Sequence, residues 1–249
     1  MDYDRVAHLY DTYVQTEVDI PFFVKEAGKA QGPVLELTAG TGRVSLPLLH
    51  AGIDLTCVDS SAAMLDIFRD KLRTEGLSAE LICADICRLS LGRQFPLVFL
   101  PFHSFAKITD PVQQRQALGT ICTHLSPTGR FICTLHNPPV RLNAVTGRRR
   151  KLGDFALPGG RMLTLSSVEN YEAASGCVQG TQFYEIRGYD GIAVAGTTVN
   201  LHFRLPSCQE FQSLAEAAGF VPVHLYGDYS YAPFEPDSSP FMVWILRPR

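Results

Sequence analysis

The chain has almost no excess of charge of either sign: 22 Lys and Arg stand against 25 Asp and Glu in 249 residues, a net charge of −3. Such a balance gives no general attraction to nucleic acid or to an anionic membrane. No apolar run approaches the roughly 18 residues of a membrane span. The opening Met1-Asp2-Tyr3-Asp4 has neither the basic nor the apolar region of a secretory leader. A cytoplasmic location is therefore expected. Cysteine is sparse and unpatterned. Its seven copies are an odd number without a Cys-x-x-Cys pair, which argues against a disulfide framework. Cys83 and Cys87 lack histidine partners at ligand spacing, so no metal is expected, and the thiols are read as buried and reduced. Internal repeats and low-complexity stretches are missing too. The apolar fraction of 46% at this length suffices for one α/β domain with a large core.

Against these absences one segment stands out, Val34-Leu35-Glu36-Leu37-Thr38-Ala39-Gly40-Thr41-Gly42-Arg43. Residues 33 to 37 read as a short buried strand, Gly40 to Gly42 as a turn whose backbone can approach a ligand, and Val44 to Leu49 as the opening of a helix. A second strand, Leu55 to Val58, delivers Asp59 to its carboxyl end, where open α/β sheets bind ligands. A carboxylate there can accept both hydroxyls of a ribose. The pattern implies a nucleotide-like cofactor. A dinucleotide fingerprint wants Gly or Ala where Ser45 stands and has no need of Glu36.

Glu36 followed by Gly-x-Gly resembles motif I of the class I S-adenosylmethionine-dependent methyltransferases, with Thr38 in place of the first glycine. Further segments follow in the family's order. Leu55 to Leu65, with Asp59, Ser60 and Met64, is similar to the second-strand segment. Ala84-Asp85-Ile86 resembles the adenine-binding segment. Phe95 to Phe105 resembles the fourth-strand segment facing cofactor and acceptor, with Leu100 at the strand end and Pro96 where the family often has an acidic residue. Leu125 to Leu135 resembles the turn into strand five. The resemblance implies a Rossmann-like, seven-stranded, mostly parallel sheet with helices on both faces, its last strands added at the end of the chain. It also implies S-adenosylmethionine as cofactor.

Helix signals are clear at Asp110-Pro111, with Leu118, Ile121 and Leu125 as the buried stripe before Pro127 and Gly129 end it. Ser207 to Glu210 is a capping box opening a helix that Gly219 stops, and Phe220 to Tyr226 and Phe241 to Leu246 read as strands. Met162 to Val168, Cys177 to Arg187 and Ala193 to Leu205 read as an antiparallel insertion, either a lid over the pocket or a homodimer surface. One domain is expected, comprising an N-terminal helical cover (1–30), a cofactor core (31–137), the inserted sheet (138–205) and a closing helix and strands (206–249).

Tyr3, Val6, Tyr10 and Tyr13 recur at helical spacing, the pattern of a packing stripe. In the family such a leader closes the site, so Tyr10 is expected at the cofactor and Tyr13 at the acceptor. His103 is the first candidate for a base, with Glu185 and His136 behind it. Phe102, Phe105, Tyr229 and Tyr231 are candidate acceptor walls. The basic run Arg148-Arg149-Arg150-Lys151 reads as a solvated loop. The expected activity is methyl transfer to a small molecule, with nitrogen favoured as acceptor. Alternatives are O- or C-methylation of an aromatic or polyketide-like metabolite, or a cofactor-binding module without turnover.

Overall fold

The computed structural model describes residues 3–249, so Met1 and Asp2 of the expected cover lie outside the described residues. After a 3-10 turn at Tyr3–Val6, the chain forms α1 (Ala7–Tyr13), α2 (Ile20–Ala27), β1 (Val34–Leu37), α3 (Ser45–His50), β2 (Leu55–Asp59) and α4 (Ala62–Glu75). It continues through β3 (Glu80–Cys83), β4 (Phe95–Leu100), a 3-10 turn at Ser104–Lys107, α5 (Pro111–Thr123), β5 (Leu125–His136) and α6 (Pro138–Leu142). Four strands follow: β6 (Arg150–Leu157), β7 (Arg161–Glu172), β8 (Cys177–Arg187) and β9 (Ala193–Arg204). Then α7 (Cys208–Ala217), β10 (Phe220–Tyr226) and β11 (Phe241–Pro248) close the chain.

The larger sheet has seven strands in the order β10-β11-β5-β4-β1-β2-β3. All its pairs are parallel except those made by β11. Central strands of such a sheet are buried on both faces, and β1 is buried at all four positions. One apolar layer, with Phe95, Phe131 and Trp244, packs against α5 and α7. A second, with Phe22, Phe68 and Phe99, packs against α2, α3 and α4.

Several expectations shift. The helix opened by Asp110, whose carboxylate accepts the N–H groups of Val112 and Gln113, stops at Thr123 rather than at Pro127. Leu125, Pro127 and Gly129 belong to β5. Neither neighbouring strand has a register partner for residues 126 to 129, so a proline is tolerated there. Pro96 lies at the amino end of β4, away from the carboxyl ends where the sheet opens. The basic run is only half loop, because Arg150 and Lys151 begin β6, a strand the sequence reading lacked. All seven cysteines are unpaired, but only Cys57, Cys133 and Cys177 are buried; Cys87, Cys122 and Cys208 are half-buried and Cys83 is exposed.

The insertion is a separate four-stranded antiparallel sheet in the order β6-β7-β8-β9. Val6 and Leu9 of the N-terminal segment pack onto its Leu163, Leu165, Tyr184 and Val199. That contact brings the insertion and the N-terminal segment together at the carboxyl ends of the main sheet. Among the described residues no helix is long and apolar enough to cross a membrane.

Candidate active site

Two adjoining cavities open at the carboxyl ends of β1, β2, β4 and β5. The first, of about 270 Å³, is lined by Glu36, Thr38, Gly40, Asp59, Ser60, Met64 and Tyr10 among others. β1 ends at Leu37, and Thr38 and Gly40 then take φ of 60° and 57°. The left-handed turn costs little at Gly40 because glycine has no Cβ to strain, and the position is open, with nothing within 4 Å of where a Cβ would stand. Gly42 does different work: a Cβ there would collide with the Phe68 ring, so its bareness lets the turn pack on α4.

Asp59 organises this turn. Its Oδ2 accepts the Gly40 N–H at 2.8 Å and its Oδ1 accepts the Ser61 N–H at 2.8 Å. Each oxygen retains acceptor capacity toward the cavity. Glu36 is fully buried beneath the turn, where desolvation pushes its carboxyl up to about 8 despite the Ser45 hydroxyl donating to Oε2 at 2.6 Å. A cation arriving beside it would restore its ionised form. Over the cavity lie the rings of Tyr3 and Tyr10, edge to face with centroids 5.9 Å apart. Burial, and for Tyr3 the nearby Asp59, hold both phenols well above their ordinary pKa, so they stay neutral. A buried carboxyl, a carboxylate with free lone pairs at a strand end and an aromatic roof fit a ligand with an ammonium, a ribose and a sulfonium.

The second cavity, of about 380 Å³, is lined by His103, His136, Phe102, Tyr229, Asp19, Arg141, Glu169, Gln182 and the apolar Leu201, Phe203 and Phe241 among others. It shares Tyr3, Phe102 and Lys107 with the first. The segment after β4 makes this boundary with two successive left-handed residues, Phe102 at φ 55° and His103 at φ 58°. Each costs roughly 1–3 kcal/mol, a strain that clusters at functional sites.

His103 stacks on His136 with centroids 3.8 Å apart and on Phe241 at 4.9 Å. Its backbone N–H donates to Thr134 Oγ1 at 3.3 Å, and its Nδ1 is buried with no partner among the described residues. Desolvation, reinforced by His136 and Arg141, depresses His103 far below the histidine range, and desolvation with Arg141 pushes His136 down to about 3. Both imidazoles are neutral and weak bases. Lys107 lies at the boundary with its Nζ 4.1 Å from the Tyr3 ring centroid, and burial lowers it to about 8 against an opposing pull from Asp59. Arg43 joins the two cavities. Its Nη1 and Nη2 donate to the two oxygens of Asp19 at 2.6 and 2.7 Å, and its guanidinium is 4.6 Å from the Phe102 ring centroid.

Other candidates fall outside both linings. Glu185 is on β8 but on the other face from Gln182 and Tyr184, where it pairs with Arg187. Alternation along a strand puts it out of reach of the second cavity. Phe105 is wholly buried against Phe211, and Tyr231 donates to Glu26 at 2.7 Å beside Phe22. Tyr13 meets the Tyr184 hydroxyl at 3.1 Å and so ties α1 to the inserted sheet instead of lining the cavity. Gly42 and Leu100 are packed behind the lining. Asp85 caps the Cys87 N–H at 2.9 Å and Ile86 is buried in the core. Sequence reasoning missed Lys107, Arg43, Asp19, Arg141, Glu169 and Gln182. Only Arg43, contiguous with the glycine turn, had a local signal.

Residues 34–129 match the model of a family described as a methyltransferase domain. A demethylmenaquinone methyltransferase from Clavibacter sepedonicus is 32% identical over 111 residues, 44% of this chain and 43% of that protein, so the chain spans less than half of that relative's length. A cypemycin N-terminal methyltransferase from a Streptomyces species is 24% identical over 216 residues, 86% of this chain and 82% of that protein. The solved structure of the CcbJ methyltransferase from Streptomyces caelestis has a TM-score of 0.82 at 22% identity, covering 98% of this chain and 96% of that one. The shared fold therefore runs through the four-stranded insertion. Residues 34–129 contain most of the lining of the first cavity, so that cavity lies in the part of the chain that is similar to a methyltransferase domain.

Proposed function

We propose that the protein transfers a methyl group from S-adenosylmethionine to the nitrogen of a small-molecule amine. The observation behind this reading is the second cavity, which adjoins the first through Tyr3, Phe102 and Lys107 and holds no unpaired carboxylate among the described residues. Its Asp19 is paired with Arg43 and its Glu169 with Arg141. An ammonium would find no free counter-charge there, whereas a neutral amine, the form that can attack, is not penalised. A relative named for methylation at an N-terminus supports the same acceptor atom.

When bound, the cofactor supplies a methyl group already activated on sulfur, so the chain's task is alignment and exclusion of water. Glu36 would hold the ammonium of the cofactor and Asp59 its ribose. Tyr3 and Tyr10 would cover its charged centre, and Phe102 would orient the acceptor across the boundary. Lys107 replaces His103, His136 and Glu185 as the candidate proton acceptor. With an ionisation near 8 it is partly neutral at physiological pH and lies where the two ligands meet.

The test is incorporation of labelled methyl groups into matched panels of amines and phenols. Amines are expected to be labelled; labelling of hydroxyls alone would move the reading to O-methylation, which the aromatic walls Phe102, Phe203, Tyr229 and Phe241 favour. For Lys107, kcat should rise with pH to a limb near 8 that vanishes in Lys107→Met. A limb retained in the variant would assign the ionisation to the acceptor instead.

A further inference from the structure

We infer that the end of the second cavity remote from the cofactor seats an anionic oxygen group of the acceptor, carboxylate or phosphate, on Arg141 and Gln182. The inference rests on the reading of this cavity as the acceptor site. The residues shared with the cofactor cavity come from the N-terminal turn and the segment after β4. Arg141 comes from α6, and Glu169, Gln182, Leu201 and Phe203 from the inserted sheet.

Arg141 has more donors than partners. Its Nη2 donates to Glu169 Oε2 at 2.6 Å, and its guanidinium is 5.1 Å from the Phe203 ring centroid. Its Nη1 is buried and has no acceptor among the described residues. A guanidinium presents a planar fork that matches two oxygens of one group, and one monodentate contact leaves that fork half used. Gln182 is a second, independent donor. Its Oε1 accepts the Tyr184 hydroxyl at 3.0 Å, which fixes the amide and leaves its NH2 group without an acceptor among the described residues. An oxyanion placed here would satisfy both residues. The imidazoles of His103 and His136, neutral through burial and the Arg141 charge, offer no competing cation. The acceptor is then a compact molecule with its amine at Phe102 and its oxyanion at Arg141, spanned by the apolar walls.

The probes are phenylacetate, phenyl phosphate and the neutral phenylacetamide, titrated calorimetrically into protein saturated with S-adenosylhomocysteine and assayed as competitors of methyl transfer. At least one anion should bind about tenfold more tightly than the amide, and the tighter of the two identifies the oxyanion. Arg141→Gln should erase this preference with cofactor affinity and melting temperature retained. Glu169→Gln should strengthen it, because Nη2 is released and a nearby negative charge removed. An ion pair that only holds α6 to the sheet would weaken all three probes in both variants, and that outcome overturns the proposal. So does equal binding of anions and amide, no binding of either anion, or anion binding that fails to compete with methyl transfer. If the seat behaves as expected while only hydroxyls are methylated, the nitrogen reading fails and the seat stands.

Discussion

Asp59 has one role in the fold and a second that we propose, and a single substitution separates them. Its oxygens hold the Gly40 and Ser61 N–H groups, and their remaining lone pairs would accept the proposed ribose. A charged hydrogen bond contributes roughly 1.5–3 kcal/mol, so Asp59→Ala should weaken S-adenosylhomocysteine binding by at least about tenfold in calorimetry. The surrounding strand and helix remain, so melting should fall by only a few degrees. Unchanged affinity would remove Asp59 from the ribose position. Residues that line the first cavity were legible because the glycine turn is contiguous: Glu36, Thr38 and Gly40 lie within one strand and turn. Charge pairs across the fold were not. Asp19 means nothing in sequence until Arg43 closes on it, and Arg141 until β7 brings Glu169 alongside.

At the scale of elements, α1 acts as a bridge. Asp11 accepts the Thr41 hydroxyl at 2.6 Å and pairs with Lys71 at 2.7 Å, which anchors the helix to the cofactor turn. Tyr13 on its last turn reaches Tyr184, and before it Asp4 accepts from Ser61. The Asp11–Lys71 ion pair is half-exposed and is worth under about 1 kcal/mol to stability. Its effect belongs instead to the cover. Asp11→Ala should speed S-adenosylhomocysteine release several-fold in stopped flow while shifting the unfolding midpoint little, and an unaltered release rate would show that the helix does not gate the cavity. The stripe of tyrosines was visible in sequence, but its targets were not, since periodicity names a buried face and not what covers it. The same limit left the face of Glu185 unread: one residue of parity separates it from Tyr184, and pairing with β7 and β9 fixes which face turns inward. β6 escaped notice because its exposed, charged start resembles a loop.

For the whole molecule, the buried titratable groups of the two cavities set opposing pH dependences. His103 and His136 ionise below their ordinary 6.5 in the fold, so the unfolded chain binds more protons and the stability they contribute falls as pH drops below about 6.5. Glu36 is the reverse case, raised from 4.5 to about 8: between those values the folded state holds a proton that the unfolded state has released. Stability then falls with rising pH by up to about 1.4 kcal/mol per unit. Two histidines outweigh one glutamate below 6.5, and above it the glutamate dominates until Lys107, which loses its proton in the fold near 8, begins to offset it. The ligand-free protein should therefore be most stable in urea near pH 6.5 and lose stability toward pH 8. Glu36→Gln should abolish that descending limb and leave a profile that turns gently upward toward pH 8, where buried Lys107 loses its proton. Binding of a cationic ligand should also expel the Glu36 proton, so S-adenosylmethionine affinity should rise toward pH 8 with proton release measurable in buffers of different ionisation enthalpy. A wild-type protein with a flat profile from 6.5 to 8 and no released proton would mean that Glu36 is already ionised before the cofactor arrives.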